Sequence, residues 1–164
     1  MAITQVDVQR FTLISNRPFE EVLAKLDAAI GRPDAAVFRR DMAAARTSSD
    51  LERLVERAVG PSGLMEFLRL DIGGVLRLYH GEQAGRSLRL LVGNPVIMKQ
   101  MAEHVPDAAS YAPVTIVIDQ RADGVHLSYD RMASFLAPYQ SPEALKVARD
   151  LDAKVEKLLT DAAG

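Results

Sequence analysis

Asp71 ends an apolar run, Leu64-Met65-Glu66-Phe67-Leu68-Arg69-Leu70. A carboxylate there can act as general acid or base, or anchor a hydroxyl-bearing ligand. It can equally accept backbone N–H bonds in the turn before Gly73. Ser128-Tyr129-Asp130 closes a second apolar run. On a strand, Val125, Leu127 and Tyr129 share one face and His126 and Ser128 the other, which leaves His126 solvated. Tyr129 then reads as a core aromatic whose hydroxyl needs a partner, and Asp130 as a turn or cap residue or a ligand contact. A Tyr129–Asp71 hydrogen bond across strand ends would make a polar site, with Asp71 as acid or base and Tyr129 as proton donor. Gly93-Asn94-Pro95 links a strand to a helix. A helix N-terminus can hold a phosphate or carboxylate, while Asn94 can equally just cap the helix.

Other chemistries find little support. The chain has no Cys, so disulfides, thiolate metal sites and a cysteine nucleophile are excluded. His80, His104 and His126 form no paired-His motif, and no metal or cofactor is expected. Met98, Met101 and His104 suggest a soft-metal site only superficially. On a helix His104 lies about 240° round from Met98, and Met side chains ordinarily fill core gaps. Ser15, Ser62 and Ser87 lack the Gly-x-Ser-x-Gly elbow, and Gly73-Gly74 has no phosphate-loop pattern around it. Twenty basic against 22 acidic residues, 5% aromatics and no Trp give no signature of nucleic-acid binding.

The elements that must position these residues follow from periodicity. A first strand is expected at 5–14, with a phase slip near Gln9-Arg10. Phe19, Val22, Leu23, Leu26 and Ile30 recur at helical spacing, and Gly31 stops that helix. Residues 35–45 are Ala-rich and helical in pattern. Ser49 with Glu52 matches a capping box before Leu51, Leu54, Val55 and Val59. Residues 32–63 therefore form a two-helix insertion, with its helical part at about 34–59. Residues 64–70 read as a buried strand, 72–79 as a short helix and 87–92 as a strand. Asn94 and Pro95 then start a helix. Val114–Asp119 and Val125–Tyr129 form a hairpin across Asp123-Gly124. Ser141-Pro142 opens a helix to about 159, with Ala144, Ala148, Leu151, Val155 and Leu158 on its inner face. The tail at 161–164 is expected to fray. This order predicts one α+β domain over 1–164, two-layered, with a mixed or antiparallel sheet and helices packed on it.

Four groups of residues in register resemble the DUF302 family, also called TT1751-like, over residues 64–140. They are Phe67…Leu70-Asp71, Leu90-Leu91-Val92-Gly93-Asn94-Pro95, Tyr111-Ala112-Pro113, and Leu127-Ser128-Tyr129-Asp130 with Phe135-Leu136-Ala137. The resemblance implies a compact two-layer α/β domain, often dimeric, with no settled biochemical role. Two departures stand out. Ile72 follows Asp71 where many members carry His, and Tyr111 stands where many carry Asp.

The functional expectation is a cytoplasmic, non-catalytic homodimer that binds a small ligand, an anionic one included, or a partner. No leader, membrane span or nucleic-acid partner is expected. Its interface would be a sheet edge or the face of the insertion. The ligand contacts would be Gly93, Asn94, Tyr111 and Asp130, with Asp71, Asn94, Tyr111 and Tyr129 meeting at one rim. The alternatives are a small metabolic enzyme using Asp71 and Tyr129 with anion binding at the Asn94 turn, and an adaptor that docks through the insertion.

Overall fold

Side-chain alternation sets the sheet. In β4 (Val114–Arg121), Val114, Ile116 and Ile118 are buried on one side, while Thr115, Val117 and Asp119 stay half-buried on the other. The computed structural model describes Met1 and residues 3–164, Glu82 by its backbone only. Four further strands pair with β4: β1 (Arg10–Ser15), β2 (Met65–Asp71), β3 (Ser87–Gly93) and β5 (Gly124–Asp130). Among the described residues they form one open sheet in the order β1-β5-β4-β3-β2, with every neighbouring pair antiparallel.

The helices are α1 (Phe19–Ala29), α2 (Ala35–Ala44), α3 (Ser48–Ala58), α4 (Ile72–His80), α5 (Pro95–Ala102), α6 (Met132–Leu136) and α7 (Pro142–Ala163). Phe19, Val22 and Leu26 of α1, Met101 of α5 and Ala148, Leu151 and Val155 of α7 join Leu90, Ile116 and Leu127 of the sheet in the main core. These helices lie on the sheet face that carries Leu90, Ile116 and Tyr129. On the opposite face Thr12, Ile14 and Arg89 are exposed. The molecule is therefore an α+β two-layer structure.

The insertion is a closed excursion. Gly31 and Gly60 lie so close that a Cβ on Gly31 would sit 1.9 Å from the Ala58 carbonyl oxygen, and one on Gly60 2.4 Å from that of Ala29. Both glycine amides donate to the Leu64 carbonyl, at 2.9 and 3.0 Å. Between them α2 and α3 bury Phe38, Leu54, Val55 and Ala58 against Met65 in a second, smaller core.

Several sequence expectations need correction. The first strand starts at Arg10, after the phase slip, and Val8 is exposed. The capping box is Thr47 with Asp50: Thr47 Oγ1 accepts from the Asp50 amide at 3.1 Å, and Asp50 Oδ2 accepts from the Thr47 amide at 3.0 Å. Starting there gives α3 an earlier first turn than a Ser49 cap would. The run at 64–70 is not a buried strand: β2 is the sheet edge, and Phe67, Leu68 and Leu70 are exposed. His126 is buried, its Nε2 lying 2.8 Å from Asp123 Oδ1 in the hairpin turn. The tail does not fray, because α7 runs to Ala163, buries Ala162, and accepts a 2.6 Å bond from the Ser15 hydroxyl at Ala163 O.

Candidate functional site

Register separates the residues expected to share a rim. Asp71 pairs with Leu88 at the start of β3, whereas Gly93, beside Asn94, pairs with Met65 at the start of β2. Asp71 and Asn94 thus lie at opposite ends of the β2–β3 pair, roughly 20 Å apart at about 3.4 Å per residue. Tyr129 stands two strands further in, opposite Ile116.

Each of these residues is engaged locally. Asp71 caps α4: Oδ1 accepts from the Gly74 amide at 2.7 Å, and Oδ2 from Arg77 at 3.2 Å. Asn94 caps α5 by accepting from the Val96 and Ile97 amides at 2.9 and 3.3 Å, and its Nδ2 donates to Gly63 O at 3.0 Å. Pro95 has no N–H and the Met98 amide bonds Asn94 O, so the first turn offers no free donor to an anion. Asp130 holds Arg10 through bonds of 2.7 and 2.8 Å. The Tyr111 ring stacks on Phe135 with centroids 4.8 Å apart, and its hydroxyl lies 3.1 Å from that of Tyr139. That contact pushes the Tyr139 phenol above its ordinary value.

Tyr129 does not reach Asp71. Its hydroxyl donates to Asp152 Oδ1 at 2.5 Å and accepts from the Met132 amide at 3.2 Å. Asp152 also accepts from the Met132 and Ala133 amides, at 2.7 and 3.1 Å. Burial first, then the Asp152 charge, push the Tyr129 phenol well above its usual range. Asp152 was not singled out from the sequence. Its signal was there, since it sits between Leu151 and Val155 on the apolar face of α7, where a carboxylate must find buried donors.

A second charged cluster ties α1 to the β2 edge. Arg69 donates to Asp27 at 2.5 Å and to Glu66 at 2.6 Å. Burial lowers the Arg69 guanidinium, but the bonds from it to Asp27 and Glu66 outweigh that and leave it raised.

Two features remain open. One is a cavity of about 170 Å³ beside the Gly93-Asn94-Pro95 turn, walled by Met42, Phe67, Met98, Met101, Pro113 and Leu151 among others. Its lining is almost wholly apolar. The other is α4 itself. Ile72, Val75, Leu76, Leu78 and Tyr79 are all exposed, Leu78 at 85% and Tyr79 at 80%, and within the helix only Gly73 is buried. Gly73 allows that approach, since a Cβ there would stand 2.6 Å from the Ser87 nitrogen. Among the described residues no three His, Asp or Glu converge as a metal site, and no helix is long and apolar enough to cross a membrane.

Comparison with known proteins agrees with this architecture. No curated protein matches the chain. The crystal structure of an uncharacterized conserved DUF302 protein from Bacillus stearothermophilus superposes with a TM-score of 0.65 at 10% identity, covering 93% of this chain and 97% of that one. At that identity the likeness is one of fold. The family model described as domain of unknown function DUF302 matches residues 40–162, a longer stretch than the 64–140 that carry the sequence resemblance. The chain belongs to the DUF302 family.

Proposed function

We propose that this protein is a cytoplasmic homodimer that binds a small molecule without catalysing a reaction on it, its two copies joined through α4 and the β2 edge. The observation that carries the reading is the exposure of α4. An apolar helix face is normally buried or partnered, and the one formed by Ile72, Val75, Leu76, Leu78 and Tyr79 lies in solvent next to a strand edge that Gly31 covers only at Met65.

The surface supports a second copy as the partner. Phe67, Leu68 and Leu70 of β2 continue the apolar face of α4 along the chain. With α4 they leave eight large apolar side chains exposed close together in sequence, where a monomer surface ordinarily shows them singly. Two charged side chains beside the patch are already matched, Arg77 by Asp71 and Arg69 by Asp27 and Glu66, while Arg89, exposed opposite Leu70, reaches only the Thr115 hydroxyl at 3.4 Å. An open antiparallel edge is self-complementary about a two-fold axis, as an isologous dimer requires.

The non-catalytic half rests on the engagement of Asp71, Asn94, Tyr111, Tyr129 and Asp130 within the chain, each in a different neighbourhood. An enzyme built on Asp71 and Tyr129 would need the two to meet at one substrate although β3 and β4 lie between their strands and Tyr129 is buried beneath the sheet. Sedimentation equilibrium over a micromolar concentration series tests the dimer. A species of twice the chain mass is expected, and a monomer throughout would overturn it.

A further inference from the structure

We propose that the cavity beside the Gly93-Asn94-Pro95 turn is a binding site for a small, uncharged apolar group, a single ring or short alkyl chain of roughly six to eight heavy atoms. This deepens the ligand half of the reading above and rests on it; the cavity shares Phe67 with the proposed interface. Size comes from the volume. At about 170 Å³ the cavity slightly exceeds an engineered apolar cavity of about 150 Å³ that stays dry and takes up benzene.

Chemistry comes from the lining. Met42, Met98 and Met101 present flexible, polarisable thioethers from two different helices, α2 and α5, and Phe67, Pro113 and Leu151 complete an apolar wall. The polar groups at its border are already engaged. Asn94 bonds two amides and the Gly63 carbonyl. A water inside would lack the two to four partners it needs. A charged or strongly hydrogen-bonding ligand would lose its hydration and gain nothing in return. Met42 is exposed and contributed by the insertion, so it stands where the cavity meets solvent. The insertion thereby acquires a role, as one wall of the site.

The test uses the whole chain with its methionine methyl groups isotopically labelled, titrated with straight-chain alcohols from butanol to decanol. Met42, Met98 and Met101 are expected to shift saturably while Met132, buried elsewhere in the core, does not. Affinity should rise about fourfold per methylene and then level off once the cavity is full. Gly93→Ala places a methyl 3.4 Å from Phe67 and Pro113, ordinary contact that the fold accepts, and should bring the levelling-off to a shorter chain. Met42→Trp should weaken binding roughly tenfold or more by filling the mouth. Shifts absent from the three methionines would overturn the inference. So would an affinity that keeps rising with chain length while Met132 shifts in step, which is partitioning into the protein at large. Sedimentation of the same samples reports the dimer separately, so loss of binding with the dimer intact refutes this inference alone.

Discussion

The Tyr129 phenol donates a 2.5 Å hydrogen bond to Oδ1 of Asp152, which joins the last strand of the sheet to α7 across the buried face. The same oxygen accepts from the Met132 amide at 2.7 Å, and Oδ2 accepts from the Ala133 amide at 3.1 Å. One carboxylate thus closes the start of α6, the underside of β5 and the middle of α7. Buried charges are retained where donors surround them, and removing such a carboxylate strands all of its donors. Asp152→Ala should cost about 3 kcal/mol or more. Tyr129→Phe, which leaves both amide bonds in place, should cost about 1.5–3 kcal/mol. Urea unfolding of the two variants would show the difference, and equal losses would contradict it.

The raised Tyr129 phenol gives the fold an alkaline limit. In the unfolded chain a tyrosine loses its proton near pH 10, at about the ordinary value. The folded state keeps the proton past that point, so above it the unfolded state binds fewer protons. The stabilisation is complete below about pH 10 and falls by up to about 1.4 kcal/mol per pH unit as pH rises further. Tyr129→Phe lacks this dependence. The stability gap between wild type and variant should therefore narrow in unfolding curves taken above pH 10, and a constant gap would refute the assignment.

Gly60 is set where the insertion closes on itself. A methyl group there would meet the Ala29 carbonyl oxygen at 2.4 Å and the Gly31 nitrogen at 2.6 Å, both backbone atoms that cannot swing aside. Gly60→Ala should destabilise by about 2–3 kcal/mol through overpacking. Gly81→Ala serves as a comparison, because its added Cβ meets nothing within 4 Å and its cost comes from a positive φ of 65° alone. Thermal melts of both variants would rank them, and a larger loss at Gly81 would contradict the close crossing.

Asp71 caps a helix, so its replacement should have the size of a lost cap. Asp71→Ala is expected to lower stability by about 1 kcal/mol, read by denaturant midpoint. A loss of 3 kcal/mol or more, as for a buried ionic network, would show that the carboxylate does more than hold the first turn of α4.

Much of the fold was legible because it is written in short-range periodicity. The β4–β5 hairpin, the Asn94-Pro95 helix start, the inner face of α7 and the short helix after Asp71 all follow from spacing and cap chemistry. Position in the sheet was not legible in the same way. The run at 64–70 is as apolar as a central strand, and only the pairing order shows that it lies at the edge. Competing caps also mislead. Thr47, Ser48 and Ser49 can all accept from a first-turn amide, and the choice falls to the residue whose partner three positions on can reach back. For the site, the sequence showed which polar residues exist but not that each finds a local partner, since strand register decides which ends meet. It did contain the clue to α4, the apolar face of Ile72, Val75, Leu76 and Tyr79, whose meaning needed its exposure to be seen.

The location of the interface is most directly tested by placing charge on α4 and, separately, on the insertion. Leu78→Glu combined with Tyr79→Glu changes two side chains that are almost fully exposed and leaves the folded chain unstrained. Val37→Glu makes a similar change on exposed α2. Sedimentation equilibrium should find the α4 variant monomeric and the α2 variant still dimeric. An α4 variant that sediments as the wild type does would contradict the proposed interface.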